Sequence, residues 1–347
     1  MVRVGTRRSD QSVESSQARS RTADGVTIVI PAFRAKNTIQ RAVESAAQQQ
    51  GVEPEIIVIV DDGCEDTRDL VEQMRLSCCR VLMNARNLGA QATRNRGLAE
   101  ASKPFILFLD GDDFLSGDLL RGMVEAAEEK GADLVLGPWR RLTSDGKLLD
   151  IQDPQPAPAA TIFWRWLVDR IWVPPCAVLW RTEFVRVIGG WDLRVRRNQD
   201  GEITLRGIAL GAGVAFSHEG AGVYCQHDSE HRVSRCSSNL DSLLDVADSL
   251  LETPGVVSRS TRQAAISRYL YDAAVDAFCG GHDDFAAKAL RRSRELGFHG
   301  HRGGRGARLG SMLLGPHLYW RLARRGGSAH PRAADLERTT ASPQVIR

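Results

Sequence analysis

Residues 26–63 read VTIVIPAFRAKNTIQRAVESAAQQQGVEPEIIVIVDDG, and this stretch decides the fold. Two apolar runs, VTIVI at 26–30 and EIIVIV at 55–60, enclose a segment in which Ile39, Val43 and Ala46 or Ala47 recur at helical spacing. Runs so continuously rich in Ile and Val suit strands buried on both faces, as in a parallel sheet, and the helix between them is the crossover that parallel pairing needs. Asn37, with Gln40 three residues on, is expected to cap this helix and Gly51 to end it. Working outward, the alternation repeats: a helix after Asp66, RVLM at 80–83, a helix near 90–101 and FILFL at 105–109. The pattern predicts an α/β fold, a Rossmann-like, mixed but mostly parallel sheet sandwiched by helices.

The rest of the chain divides by composition. Residues 1–24 are rich in Ser, Arg, Gln and Thr and read as a disordered tail; the sheet domain is expected over 25–238. Within it a Pro-rich connection follows Asp150 and leads to the aromatic stretch FWRWLVDRIWVPP and the short strand CAVLW. A helical appendage is expected over 239–326, with Leu243, Leu244, Ala247, Leu250 and Leu251 on one stripe and two helices flanking Gly280 and Gly281. Residues 327–347 read as a second flexible tail. Between residues 297 and 334 there is no acidic residue, and arginines bracket the apolar stretch LGSMLLGPHLYW. Such a segment suits peripheral association with an anionic membrane through 303–325, or equally a packed C-terminal helix with a solvated Arg face.

Totals exclude several classes. The 347 residues carry a formal net charge of only +3, so the molecule is not a polycation built for nucleic acid. No apolar run approaches the ~18 residues of a spanning helix and no secretory h-region opens the chain, which points to the cytoplasm, at the inner face of the plasma membrane if the basic segment docks. Seven cysteines without a CxxC pair argue against a zinc site or disulfide framework.

In an open parallel sheet, ligands bind beyond the carboxyl ends of the strands. There the sequence places Pro31, Ala32, Phe33 and Arg34; Asp61 and Asp62; and Asp110, Gly111, Asp112 and Asp113. On an extended chain Asp110 and Asp112 would converge while Asp113 diverges. Convergent carboxylates repel unless a hard divalent cation joins them, and Mg²⁺ or Mn²⁺ usually takes one or two carboxylates plus substrate phosphates. Capping of the next helix would account for one of these aspartates, and Asp61 and Asp62 could likewise cap the helix near Asp66.

In this order and spacing, IVIPAFRAKNTIQRAVES, IIVIVDDGCEDT, NARNLGAQATRNRGLAEA and FILFLDGDD resemble glycosyltransferase family two, whose members are inverting enzymes of the GT-A fold; the likeness extends to about Arg235. The resemblance implies a nucleotide diphosphate-sugar donor, UDP-linked by default, and a glycan or lipid-linked acceptor. It implies nucleoside binding by residues 31–34 and Asp62 with Asp61 beside them, and a donor site lined by Arg94 and Asn95. Asp110 and Asp112 would form the metal-dependent DxD element, with Asp112 the direct ligand to Mn²⁺ or Mg²⁺. Gly189, Gly190, Trp191 and Asp192 match the Gly-Gly-Phe-Asp element of the acceptor half. Gln199 and Asp200 match an acidic pair that opens a helix, which makes Asp200 the general base; helix capping is its alternative role. YCQHDSEHRVSR resembles the closing motif, with His227 near the donor phosphates or metal and Arg232 and Ser234 as further phosphate contacts. Trp172 and Pro175, with Trp191 and Gln199, would shape the acceptor pocket.

The chain departs from the pattern at Phe33, Arg34, Cys64 and Gln199, and loss of the acidic neighbour should lower the pKa of Asp200. Two rivals stand beside this reading. A haloacid-dehalogenase-like phosphatase also carries Asp-x-Asp after a strand, but early in its domain. A catalytically silent glycan-binding or scaffold relative would keep the sheet and lose turnover. No GxGxxG follows the first strand and no GxxxxGK[ST] occurs, which removes the usual phosphate cradles of dehydrogenases and P-loop enzymes.

Overall fold

The computed structural model describes residues 25–226 and 239–300, with 309–310, 313–315, 318–320 and 322 beyond them. The tails expected at 1–24 and 327–347 lie outside the described residues. The first half runs β1 (Gly25–Ala32), α1 (Ile39–Ala47), β2 (Glu53–Val60), α2 (Glu65–Gln73), β3 (Cys79–Met83), α3 (Ala90–Glu100), β4 (Phe105–Phe108), β5 (Phe114–Ser116), α4 (Leu119–Lys130), β6 (Leu134–Leu136) and β7 (Trp139–Leu142). Then come α5 (Ala159–Trp164), β8 (Val178–Arg181), α6 (Thr182–Val187), α7 (Gln199–Ala209), β9 (Val214–Phe216) and β10 (Ala221–Cys225), followed by α8 (Ser242–Glu252), α9 (Arg259–Gly280) and α10 (Asp283–Glu295).

Seven strands form the main sheet in the order β3-β2-β1-β4-β8-β6-β9, parallel except where β8 runs against β4 and β6. A smaller sheet, β5-β10-β7, stands beside it. This is the mixed, mostly parallel, helix-covered sheet expected from the sequence. Successive strand residues enter opposite cores: Val29, Ile57, Ile59, Ile106 and Phe108 on one side, Ile28, Ile30, Ile56, Val58 and Leu107 on the other. Each such side chain stabilises the fold by about 1.5–3 kcal/mol on burial, which is why the Ile and Val runs were legible as two-sided strands.

Two local expectations are corrected. Helix α1 begins at Ile39 after Thr38, with no side-chain cap bond, so Asn37 does not cap it. Gly51, at φ +75°, lies past the helix end at Ala47 and shapes the turn into β2 instead. In the C-terminal region, Val246, Ala247 and Leu250 of α8 and Ala265, Ile266 and Leu270 of α9 are buried in the same core as the sheet. The far half of α9 and α10 build a separate cluster around Tyr271, Phe278 and Phe285. A left-handed Gly281, at φ +83°, ends α9 at the turn read from the sequence.

Candidate active site

Three aspartates gather just past β4. Strand pairing stops at Phe108, and the chain then turns, with the Asp113 N–H donating to the Asp110 carbonyl at 3.0 Å. The turn replaces the extended geometry on which Asp113 was expected to diverge. Instead, ligand oxygens of Asp110, Asp112 and Asp113 all lie within 4.8 Å of one another. Asp113 is buried, accepts the Cys225 N–H at 2.8 Å through Oδ1, and leaves Oδ2 sealed without a partner. Burial, then the neighbouring Asp112 and Asp110 carboxylates, push its pKa well above the usual range. An all-oxygen set holding an orphaned buried carboxylate oxygen fits a hard divalent cation and not a soft one.

Arg94, on α3, runs between this cluster and Asp200. Its Nη2 donates to Asp110 Oδ1 at 2.5 Å, and its Nη1 stands 3.7 Å from Asp200 Oδ1. The guanidinium is 4.3 Å from the Trp191 ring and is almost fully buried, with Nε and Nη1 lacking hydrogen-bond partners. Asp200 sits in the first turn of α7; its Oδ1 makes no capping bond, and 38% of its side chain stays exposed. Its pKa is raised to about 6, chiefly by burial, with Arg94 pulling it down and Asp110 pushing it up. Desolvation thus dominates at this carboxyl, and Gln199 adds no like charge that would raise it further. Gln199 Oε1 is also sealed without a partner.

The other expected residues divide into those that face the cleft and those that build it. Asp61 is 2% exposed, and its oxygens accept from Asn84 Nδ2 at 2.6 Å and from the Leu88 and Gly89 N–H groups at 2.9 Å each. These bonds commit it to the loop entering α3, beside the turn that follows β1. Asp62 accepts the Arg34 N–H at 2.7 Å and the Cys64 N–H at 3.0 Å, which pins the turn after β1. That turn follows Pro31 and Ala32 and presents an exposed Phe33, with the Arg34 guanidinium 5.2 Å from its ring centre.

Asn95 is likewise structural. Its side chain donates to the Trp191 carbonyl and accepts the Trp191 N–H, both at 2.8 Å. Gly190, at φ +66°, passes so close that an added Cβ would stand 2.5 Å from Asn95 Oδ1, so only glycine fits. From the other side Arg206 donates to the Ile188 and Gly190 carbonyls at 2.5 and 2.6 Å while its Nε pairs with buried Glu202 at 2.6 Å. Trp191 itself is buried and supports Arg94 instead of lining an open pocket.

Half-buried Trp172 stacks on Trp139 with centroids 4.9 Å apart and meets Tyr224 edge-on at 5.5 Å, and Pro175 is buried beneath the same region. His227, Arg232 and Ser234 lie outside the described residues. Sequence reasoning missed Arg41, whose Nη2 donates to the Asp112 carbonyl at 2.9 Å and to Cys225 Sγ at 3.2 Å. It stands 71 residues before Asp112, on a helix whose polar face gave no local signal.

Known proteins can be set against this geometry. Residues 27–178 match the family model described as glycosyl transferase family 2. The chain is 36% identical over 124 residues to the succinoglycan biosynthesis protein ExoO of Rhizobium meliloti, covering 36% of each chain. It is 28% identical over 130 residues to the UDP-Glc:alpha-D-GlcNAc-diphosphoundecaprenol beta-1,3-glucosyltransferase WfgD of Escherichia coli, covering 38% of this chain and 51% of that one. The matched part thus spans well under two thirds of either relative. The crystal structure of S. aureus TarS 1-349 in complex with UDP-GlcNAc superposes with a TM-score of 0.62 at 16% identity, over 89% of this chain and 93% of that one. At that identity the likeness is one of fold.

Proposed function

We propose, from the match of residues 27–178 to glycosyl transferase family 2, that the chain belongs to that family and transfers a sugar with inversion from a UDP-linked donor to a hydroxyl of a glycan or lipid-linked precursor. The observation that carries this reading is the buried Arg94 spanning Asp110 and Asp200, which joins an acid cluster suited to a diphosphate with a carboxylate suited to a base. The donor and acceptor classes follow those printed in the name of the E. coli relative.

In this reading the turn at 31–34 and Asp62 hold the nucleoside, with the exposed Phe33 ring offering a flat face to the base. A divalent cation, Mn²⁺ or Mg²⁺, held by Asp110, Asp112 and Asp113 would neutralise charge on the departing diphosphate. Asp200 takes the acceptor proton as the hydroxyl oxygen bonds to the anomeric carbon and the carbon–oxygen bond to the diphosphate breaks. The proton ends on Asp200 and the electron pair on the diphosphate. A carboxylate with a pKa of about 6 is ionised at neutral pH yet basic enough to accept that proton. Half-buried Trp172 and Tyr224 would form the acceptor platform, since Tyr224 adjoins Cys225, whose N–H donates to Asp113.

Among the described residues no helix is long and apolar enough to cross a membrane. The family match sets aside the phosphatase reading. Calorimetry with UDP, GDP and ADP, with and without Mn²⁺, tests the proposal. UDP should bind in a metal-dependent way, Asp112→Ala should abolish that dependence, and Asp200→Asn should keep UDP affinity while sugar transfer stops. UDP binding that ignores both the metal and Asp112→Ala would place the donor elsewhere.

A further inference from the structure

Five of the fifteen large apolar side chains exposed among the described residues fall within fourteen positions near the C-terminus: Leu309, Leu313, Leu314, Leu318 and Leu322, from 44% to 75% exposed. Leu309 and Leu313 lie four residues apart before Gly315, and Leu318 and Leu322 four apart after it, the spacing that keeps each pair on one helical stripe. Such a stripe ordinarily faces a core. Here the core contact is made by other residues: Trp320 is buried in the cluster of Tyr271, Phe278 and Phe285, and Tyr319 meets it edge-on at 5.0 Å. An added Cβ on Gly310 would stand 2.4 Å from the Tyr319 ring, and Gly315 takes φ +75°. Among the described residues of this stretch, Trp320 is plugged into the body and the leucines are left outward.

Charge says what covers them. Residues 297–334 contain seven arginines and no acid, so the formal +3 of the chain is a body four charges negative joined to a segment seven charges positive. We infer that these leucines form a docking surface for an anionic lipid bilayer. Stable peripheral binding needs two signals, and this segment carries both, an apolar stripe to enter the acyl boundary and a polybasic flank to meet anionic headgroups. A second copy of the chain would bring two seven-fold positive segments together, and a nucleic acid would neutralise the arginines while leaving the leucines in water.

Flotation of the full chain with vesicles tests the inference, using phosphatidylglycerol mixed into phosphatidylcholine against phosphatidylcholine alone. The native chain should float with the anionic vesicles, less so as salt rises, and bind the neutral ones at least about tenfold more weakly. Leu313→Glu with Leu318→Glu should reduce anionic-vesicle binding by about tenfold or more while the melting temperature stays unchanged, since both side chains are already exposed. Replacing Arg321, Arg324 and Arg325 by Gln should remove the salt-sensitive share without touching the stripe. The idea is overturned if the native chain does not float, if it binds both vesicles equally, or if the leucine variant binds as the native chain does. A dimer that the leucine variant splits, with no vesicle binding by either protein, also overturns it.

Discussion

Nη1 of Arg94 stands 3.7 Å from Oδ1 of Asp200, while Nη2 of the same guanidinium holds Asp110 at 2.5 Å. One buried cation thus serves two carboxylates that approach the site from opposite halves of the chain. Burial works against the Arg94 charge, but Asp110 and Asp200 outweigh it and raise its pKa above the ordinary value. The flat Trp191 ring beneath the guanidinium fixes its plane, a geometry that a lysine could not reproduce.

The first prediction concerns pH. With Asp200 at about 6, the rate should fall as the pH drops through that value, because a protonated carboxyl cannot take the acceptor proton. Arg94 pulls this pKa down, so Arg94→Met should move the acid limb of kcat/KM to higher pH as well as reduce its plateau. A limb that stays in place would mean that Asp200 is not the titrating base or is not coupled to Arg94.

A second prediction separates stability from activity at the same residue. Burial raises the folded-state pKa of Asp200 above its unfolded value, so the native state holds the proton more tightly. Its contribution to stability is then full at low pH and is lost as pH rises through about 6. Asp200→Asn should consequently raise the melting temperature at pH 7.5 relative to the native chain, with little difference near pH 4. Turnover should fall by about 10²–10⁴-fold. Solvent reaches over a third of this side chain, which limits the gain. Paired melts at the two pH values decide it, and a variant destabilised at pH 7.5 would refute the assignment of burial as the dominant cause.

Most of the frame was legible because buried strands announce themselves. VTIVI, EIIVIV and FILFL place their residues alternately in two cores, and the acidic residues that follow them could only lie along one edge of the sheet. Side-chain direction after the strand ended was not legible. Asp113 turns back because residues 110–113 close a hydrogen-bonded turn and because Cys225, from a distant strand, offers its N–H. The anchoring of residues 84–89 by Asp61 was not legible either, since the three donors that seek it come from a loop with no sequence signal of its own.

The third prediction follows from Asp113. Asp113→Asn can still accept the Cys225 N–H through its amide oxygen, but it removes the charge of the sealed carboxylate. Metal-dependent UDP affinity should fall by about tenfold to a hundredfold while the fold survives. Titration of Mn²⁺ at fixed UDP, compared with Asp112→Ala, measures this; native affinity in Asp113→Asn would leave only Asp110 and Asp112 as ligands.

The last prediction concerns Asp61, whose effect on the site is indirect. Asp61→Ala removes the acceptor of the Leu88 N–H and one of two acceptors each from Asn84 Nδ2, which keeps Thr93 Oγ1 at 3.0 Å, and from the Gly89 N–H, which keeps Asn87 Oδ1 at 2.9 Å. Leaving a donor unsatisfied costs about 1–3 kcal/mol, and since two of the three keep a second acceptor, denaturant unfolding should show a deficit of about that size. Gly89 immediately precedes α3, and Arg94 lies just over one turn into that helix. Loosening the loop should therefore let the guanidinium drift from Asp110 and Asp200. Hydrogen exchange at Leu88 and Gly89 should accelerate in Asp61→Ala, and the acid limb of the pH profile should move upward as it does in Arg94→Met. Asp61→Asn, which keeps one acceptor oxygen, should recover part of both effects. Faster exchange with an unmoved limb would confine Asp61 to folding alone and break the proposed link from the β2 edge to the base.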